Sequence, residues 1–170
     1  MRHWNEVLLT WVRSDNTVWK FICSSELPRI PLITAVFGVV FYQNKIMLTK
    51  NKRGRELLGG HIEQGESIRD ALIRELSEEG WVKESSIIYQ QLFGYRKITS
   101  QEPVANRQGG WYPFPDSYIP HFICILDRIP GMFHGHEVED AAFFSIDEVE
   151  QSQDITNDTK VIIHYALGLV

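Results

Sequence analysis

Gly60-His61-Ile62-Glu63-Gln64-Gly65-Glu66, followed after seven residues by Arg74-Glu75-Leu76-Ser77-Glu78-Glu79-Gly80, is the stretch that decides the reading of this chain. Its second half predicts a helix from Ser67 to Glu79, with Ser67 as N-cap, Asp70 in a capping-box position and Gly80 as the stop. Residues advance by about 100° around a helix axis. With Ile68 at zero, Leu72 falls at about 40°, Leu76 at about 80° and Ala71 at about 300°, which makes an apolar stripe. Glu75, Glu78 and Glu79 fall at about 340°, about 280° and about 20°, beside or within that stripe. Asp70, Arg74 and Ser77 face the other way.

A purely structural helix should avoid this arrangement. Like charges three and four residues apart repel by roughly 0.2–0.5 kcal/mol per pair. The acids sit in the last turn, where the helix dipole disfavours negative charge, and turning them inward adds desolvation. A divalent cation removes all three costs, because Mg2+ takes carboxylate oxygens together with substrate phosphates. Upstream, Gly59 and Gly60 let backbone approach a ligand closely, since glycine has no Cβ. Glu66 lies just before the helix, and Arg74 can pair with Glu66 or Glu75 and hold it in position.

Outward from the helix, Val7 to Val12 and Thr17 to Cys23 read as a hairpin around Ser14-Asp15-Asn16. Leu27 to Pro31 breaks the pattern. Ile33 to Tyr42 and Lys45 to Thr49 read as buried strands, and Lys50, Lys52, Arg53 and Arg55 form a basic loop suited to attracting phosphates. Ser86 to Thr99 reads as one or two strands, Ser100 to Tyr118 as a long loop, and Ile119 to Leu126 and Ala141 to Ser145 as strands. Ser145 and Glu148 open a short helix through a second capping box, and Asp158 to Leu167 closes the chain as a helix. Mixed helices and hairpins predict an α/β fold with a mixed sheet.

The segment from Gly60 to Val82 resembles the Nudix box, which reads G-x5-E-x7-R-E-U-x-E-E-x-G-U with U bulky and aliphatic. Each fixed position through Glu79 matches. One departs: Gly80 comes one position early and Trp81 stands where the family places glycine, which predicts a helix ending about one residue early. The resemblance extends to Arg55–His61 before the box and Phe143–Val149 after it. It implies an α/β/α sandwich from about residue 32 to residue 170, with residues 1–31 as an N-terminal extension whose hairpin packs on the domain. It further implies Mg2+, with Mn2+ as the alternative, held by Glu75, Glu78 and Glu79 with Glu66 assisting. The substrate would be a nucleoside diphosphate linked to some group, or a nucleoside triphosphate.

On that basis the reaction is attack of water on a phosphorus of the diphosphate. The catalytic candidates are Glu78, Glu79 and Arg74, and the substrate-binding candidates are Gly59, Gly60, Arg53 and Arg55. The proton acceptor is open among Glu78, Glu79 and two acids ahead of the late strand, Glu137 and Glu139. Trp111, Tyr112, Phe114 and Tyr118 could stack on a base, and His134 and His136 flank Gly135 close to Glu137.

Two other readings use the same fold. A sensor that binds nucleotide without turnover need not retain the Arg-Glu-x-x-Glu-Glu charges. An isopentenyl diphosphate isomerase would need a reactive cysteine, and Cys23 and Cys124 both sit in apolar runs. A net charge of -5 over 170 residues argues against a general nucleic-acid binder. The cysteine usage, the lack of an apolar leader and the lack of a long apolar run point to a cytoplasmic protein without membrane association. A homodimer is left open.

Overall fold

Period-two alternation in the third strand sets the layering. The structure is a computed structural model that describes residues 5–52, 54–106, 109–130 and 140–170. Its elements are β1 (Glu6–Val12), β2 (Val18–Cys23), β3 (Ala35–Tyr42), β4 (Lys45–Asn51), β5 (Gly54–Glu56), β6 (Leu58–His61), α1 (Ile68–Gly80), β7 (Ile87–Thr99), β8 (Asp116–Leu126), β9 (Asp140–Ser145), α2 (Ile146–Gln151) and α3 (Asn157–Leu167). On β3, Val39 and Phe41 join one apolar cluster and Val36 and Val40 the other. The first cluster takes Val149 of α2 and Ile162, Ile163 and Ala166 of α3, and the second takes Ala71, Leu72 and Leu76 of α1. A strand buried on both faces must be apolar throughout, as β3 is. The result is an α/β/α sandwich.

The sheet runs β1-β2-β7-β8-β3-β4-β5, with β6 added to β3 and β9 to β4. β3 and β8 are parallel and the other pairs antiparallel, so the sheet is mixed. The N-terminal hairpin is continuous with this sheet. β2 pairs along β7 from Val18↔Thr99 to Cys23↔Gly94, so the hairpin extends the sheet edge rather than covering a face.

Three sequence expectations change. β8 starts at Asp116 rather than Ile119, because Asp116 accepts from Thr99 Oγ1 at 2.6 Å and pairs with Lys97 Nζ at 2.8 Å, which carries the ladder further. Part of the basic loop is strand, with Lys50 opposite Arg55. Finally, α1 does not end early. Gly80 is helical, and Trp81 adopts the left-handed conformation at φ 52°, its N–H directed at the Leu76 and Ser77 carbonyls. Trp81 therefore closes the helix in the role glycine usually fills. Gly80 serves packing instead: a Cβ there would fall 2.4 Å from Leu58 Cδ2 and 2.6 Å from Met47 Sδ.

Candidate active site

Arg74 organises the acidic end of α1. Its Nε and Nη2 grip Glu66 Oε1 and Oε2 at 2.9 and 3.0 Å. Its Nη1 donates to Glu75 Oε1 at 2.8 Å and to Glu78 Oε2 at 3.2 Å, and Nη2 also donates to the His61 carbonyl at 2.9 Å. A planar guanidinium can serve this fan of acceptors where an ammonium cannot. The guanidinium holds the Glu66 carboxyl below its ordinary range, helped by the Glu63 N–H, which donates to Glu66 at 3.0 Å. Arg74's own pKa is raised, chiefly by Glu66.

The strand–turn before α1 presses backbone onto the carboxylates. β6 pairs with β3 through Val36↔Gly60 and Phe37↔Gly59. A Cβ on Gly59 would lie 2.3 Å from the Val36 carbonyl oxygen, and one on Gly60 would lie 2.4 Å from Glu75 Oε1. Only glycine fits at position 59, where the neighbour is backbone and φ is 151°; at position 60 a side chain would displace the Glu75 carboxylate. The Gly59 N–H donates to Glu79 Oε2 at 2.9 Å. The three helix acids thus differ in setting. Glu75 is 8% exposed, Glu79 is half-buried on the Gly59 amide, and the Glu78 side chain is 60% exposed. The expected inward lean therefore holds for Glu75 and Glu79. Glu78, at the margin of the stripe, faces solvent.

A cavity of about 620 Å3 has Gly60, His61 and Glu56 on its wall; none of Glu66, Arg74, Glu75, Glu78 and Glu79 lines it, and it meets the cluster at Gly60, whose backbone abuts the Glu75 carboxylate. Of the loop aromatics, Tyr112 lines it and meets His61 Nε2 at 2.7 Å. Trp111 and Phe114 are exposed, and Tyr118 packs edge-on against Tyr95. Arg55 is not among the lining residues and stacks its guanidinium 4.4 Å from the Phe144 ring centroid. Arg53, Glu137, Glu139, His134 and His136 lie outside the described residues. Sequence reading missed other residues of the lining: Trp11 and Trp19 of the hairpin, Phe37 of β3, Arg96 of β7 and Asp158 of α3. The detectable signal was in the hairpin, where Trp11 and Trp19 are cross-strand partners.

The donor set suits a hard divalent cation: Glu75, Glu78 and Glu79 in the second half of α1, and Glu66 ahead of it, offer carboxylate oxygens, and Arg74 links Glu66, Glu75 and Glu78. Among the described residues no three acidic, histidine or cysteine side chains are already converged as a metal shell. Arg74 Nη1 stands between Glu75 and Glu78, and Gly59 retains Glu79. Cys23 and Cys124 are buried and neither lines the cavity. Burial pushes the Cys124 thiol up to about 12, so it is no nucleophile. Among the described residues no helix is long and apolar enough to cross a membrane.

Known proteins share this architecture. An ADP-ribose pyrophosphatase of Methanocaldococcus jannaschii is 28% identical over 125 residues, covering 68% of this chain and 63% of that protein. An NAD-capped RNA hydrolase NudC of Salmonella heidelberg is 23% identical over 141 residues, covering 79% of this chain. This chain spans about half of the NudC length, 48%. The crystal structure of the Bacillus subtilis pyrophosphohydrolase BsRppH superposes with a TM-score of 0.68 at 14% identity, over 94% of each chain. The NUDIX domain pattern matches residues 32–165, and over that span the chain belongs to the Nudix family.

Proposed function

We propose that this chain is a hydrolase that cleaves the diphosphate linkage of a nucleoside diphosphate derivative or a nucleoside triphosphate. The observation that carries this reading is the Arg74-centred glutamate cluster, set beside a cavity large enough for a nucleotide. The relatives' names, ADP-ribose pyrophosphatase and NAD-capped RNA hydrolase, belong to the same reaction class.

Glu66, Glu75, Glu78 and Glu79 would hold Mg2+, with Mn2+ as the alternative. Such an ion, when bound, acidifies a water and neutralises phosphate charge. The chain's own residues do the positioning. Gly60, which has no side chain, lets the Glu75 carboxylate pack against the strand at the cavity wall. Arg74 is a positioning residue that fixes Glu66 and Glu75 through their oxygens. The candidates for the proton acceptor are Glu78, which is open to solvent, Glu79, which the Gly59 amide orients, and Glu137 and Glu139, which lie outside the described residues.

Glu79→Gln removes the carboxylate charge and keeps the shape. It should lower kcat/KM by roughly 10²–10⁴-fold with an unchanged circular dichroism spectrum. Near-normal turnover by that variant would sink the assignment. The substrate panel should contain nucleoside triphosphates, ADP-ribose, dinucleoside polyphosphates, nucleotide sugars and NAD-capped RNA, each with Mg2+ and with Mn2+. Binding without product from any of them would favour a sensor.

A further inference from the structure

We infer that the far end of the cavity is a nucleobase subsite in which Arg96, walled by Trp11 and Trp19 of the N-terminal hairpin, selects guanine over adenine. The inference rests on the hydrolase reading above, because it assumes a nucleotide whose diphosphate lies at the glutamate end.

Arg96 is the observation that demands a ligand. It lines the cavity yet is only 9% exposed. Among the described residues its guanidinium has one hydrogen-bond acceptor, Asp158 Oδ2 at 3.3 Å, and its Nε is buried with none. A guanidinium carries five N–H donors; the Asp158 and Glu56 carboxylates offset its charge but leave most of those donors unfilled. The Phe37 ring, 5.7 Å from Cζ, gives only a weak cation–π contact. Nε is enclosed by protein, so an incoming group with two acceptors would be met by the Nη donors, of which Asp158 engages one at 3.3 Å.

The walls say which kind of group. Trp11 and Trp19 are cross-strand partners whose ring centroids lie 5.8 Å apart. Trp19 is fixed by its Nε1–H, which donates to Thr17 Oγ1 at 2.8 Å, and Asp15 Oδ1 holds the Thr17 amide at 3.0 Å. An aromatic wall beside a half-satisfied cation suits a planar base with apolar faces and a polar edge. Guanine presents O6 and N7, two acceptors matched to an arginine fork. Adenine offers N7 alone and turns its N6 amino donor toward the cation. The same cavity reaches Gly60, whose backbone abuts the Glu75 carboxylate, so a nucleotide with its base at Arg96 would run its phosphates toward that glycine.

The test is calorimetric titration of the full chain, with Mg2+ present, against GMP, AMP and ribose 5-phosphate. None of the three carries a diphosphate linkage, so binding is read without turnover. Wild type should bind GMP roughly 5- to 100-fold more tightly than AMP, with ribose 5-phosphate weaker than either. Arg96→Met and Arg96→Lys, which both lack the planar fork, should bring GMP to within about twofold of AMP. Equal affinity for GMP and AMP in wild type overturns the inference, and that comparison does not depend on either variant folding. Ribose 5-phosphate binding as tightly as GMP also overturns it, since Arg96 would then serve a phosphate. A guanine preference without turnover of any diphosphate compound defeats the hydrolase reading alone. Turnover without a base preference defeats the guanine assignment alone.

Discussion

Arg74 shows what one residue type contributes that a neighbour in charge does not. Its fork reaches Glu66 twice and Glu75, Glu78 and the His61 carbonyl once each. Lysine would keep the charge and lose that geometry. Under the proposed metal-binding role of these carboxylates, Arg74→Lys should fold and lose about 10- to 100-fold in kcat/KM, as expected when a group that orients metal ligands is removed. The apparent Mg2+ requirement should rise with it, which a metal titration of turnover will show. An unchanged metal dependence with full activity would mean that the network is structural. The pairing of Arg74 with Glu66 and Glu75 was legible in the sequence, because the motif is local. Its bond to the His61 carbonyl and the Glu79–Gly59 bond were not, because both depend on how β6 meets α1 in space.

At the scale of elements, α1 was legible in its start and misread at its end. Ser67 caps the helix by accepting from the Asp70 N–H at 3.1 Å, as its sequence context implies. Gly80 was read as a stop because glycine commonly follows a helix. Its reason is tertiary, the close approach of α1 to Leu58 and Met47. The two readings give opposite signs for Gly80→Ala. Helix propensity alone favours alanine by about 1 kcal/mol. Overpacking costs about 1–3 kcal/mol, and Leu58 is fully buried with little room to move. Loss of about 1 kcal/mol is expected, read from the midpoint of urea denaturation. A stabilised variant would return Gly80 to the role of a stop signal. The hairpin was legible as a hairpin, from alternation and turn residues. Its partner was not, because β2 pairs with a strand far along the chain and nothing local specifies β7.

The sheet gathers Phe21, Phe37, Phe93 and His121 into one group of packed rings, of which Phe37 lines the cavity. His121 of β8 is fully buried there, stacked on Phe37 at 5.5 Å and edge-on to Phe21 at 5.3 Å. Its Nδ1 lies 2.9 Å from the Ile119 carbonyl, which can only accept, so Nδ1 carries the proton. Nε2 is left a buried acceptor without a partner among the described residues. Burial first, and then the nearby Arg96 cation, hold the imidazole well below its ordinary pKa of 6.5. The consequence for folding has a definite sign. Above pH 6.5 the ring is neutral whether folded or unfolded, and His121 adds no pH dependence. As pH falls through 6.5 the unfolded chain takes up a proton that the folded chain refuses. Stability then falls by up to about 1.4 kcal/mol per pH unit until the folded pKa is reached. Other titrating groups share the acid limb, so the comparison is between variants. His121→Phe keeps an aromatic ring of similar shape and cannot be protonated. Its stability, measured by urea denaturation between pH 7 and pH 5, should fall less steeply than wild type, by up to about 1.4 kcal/mol per unit below pH 6.5. Parallel curves would mean that His121 takes up a proton in the folded core as readily as in the unfolded chain, and that the Phe37–His121–Phe21 packing tolerates a second cation beside Arg96.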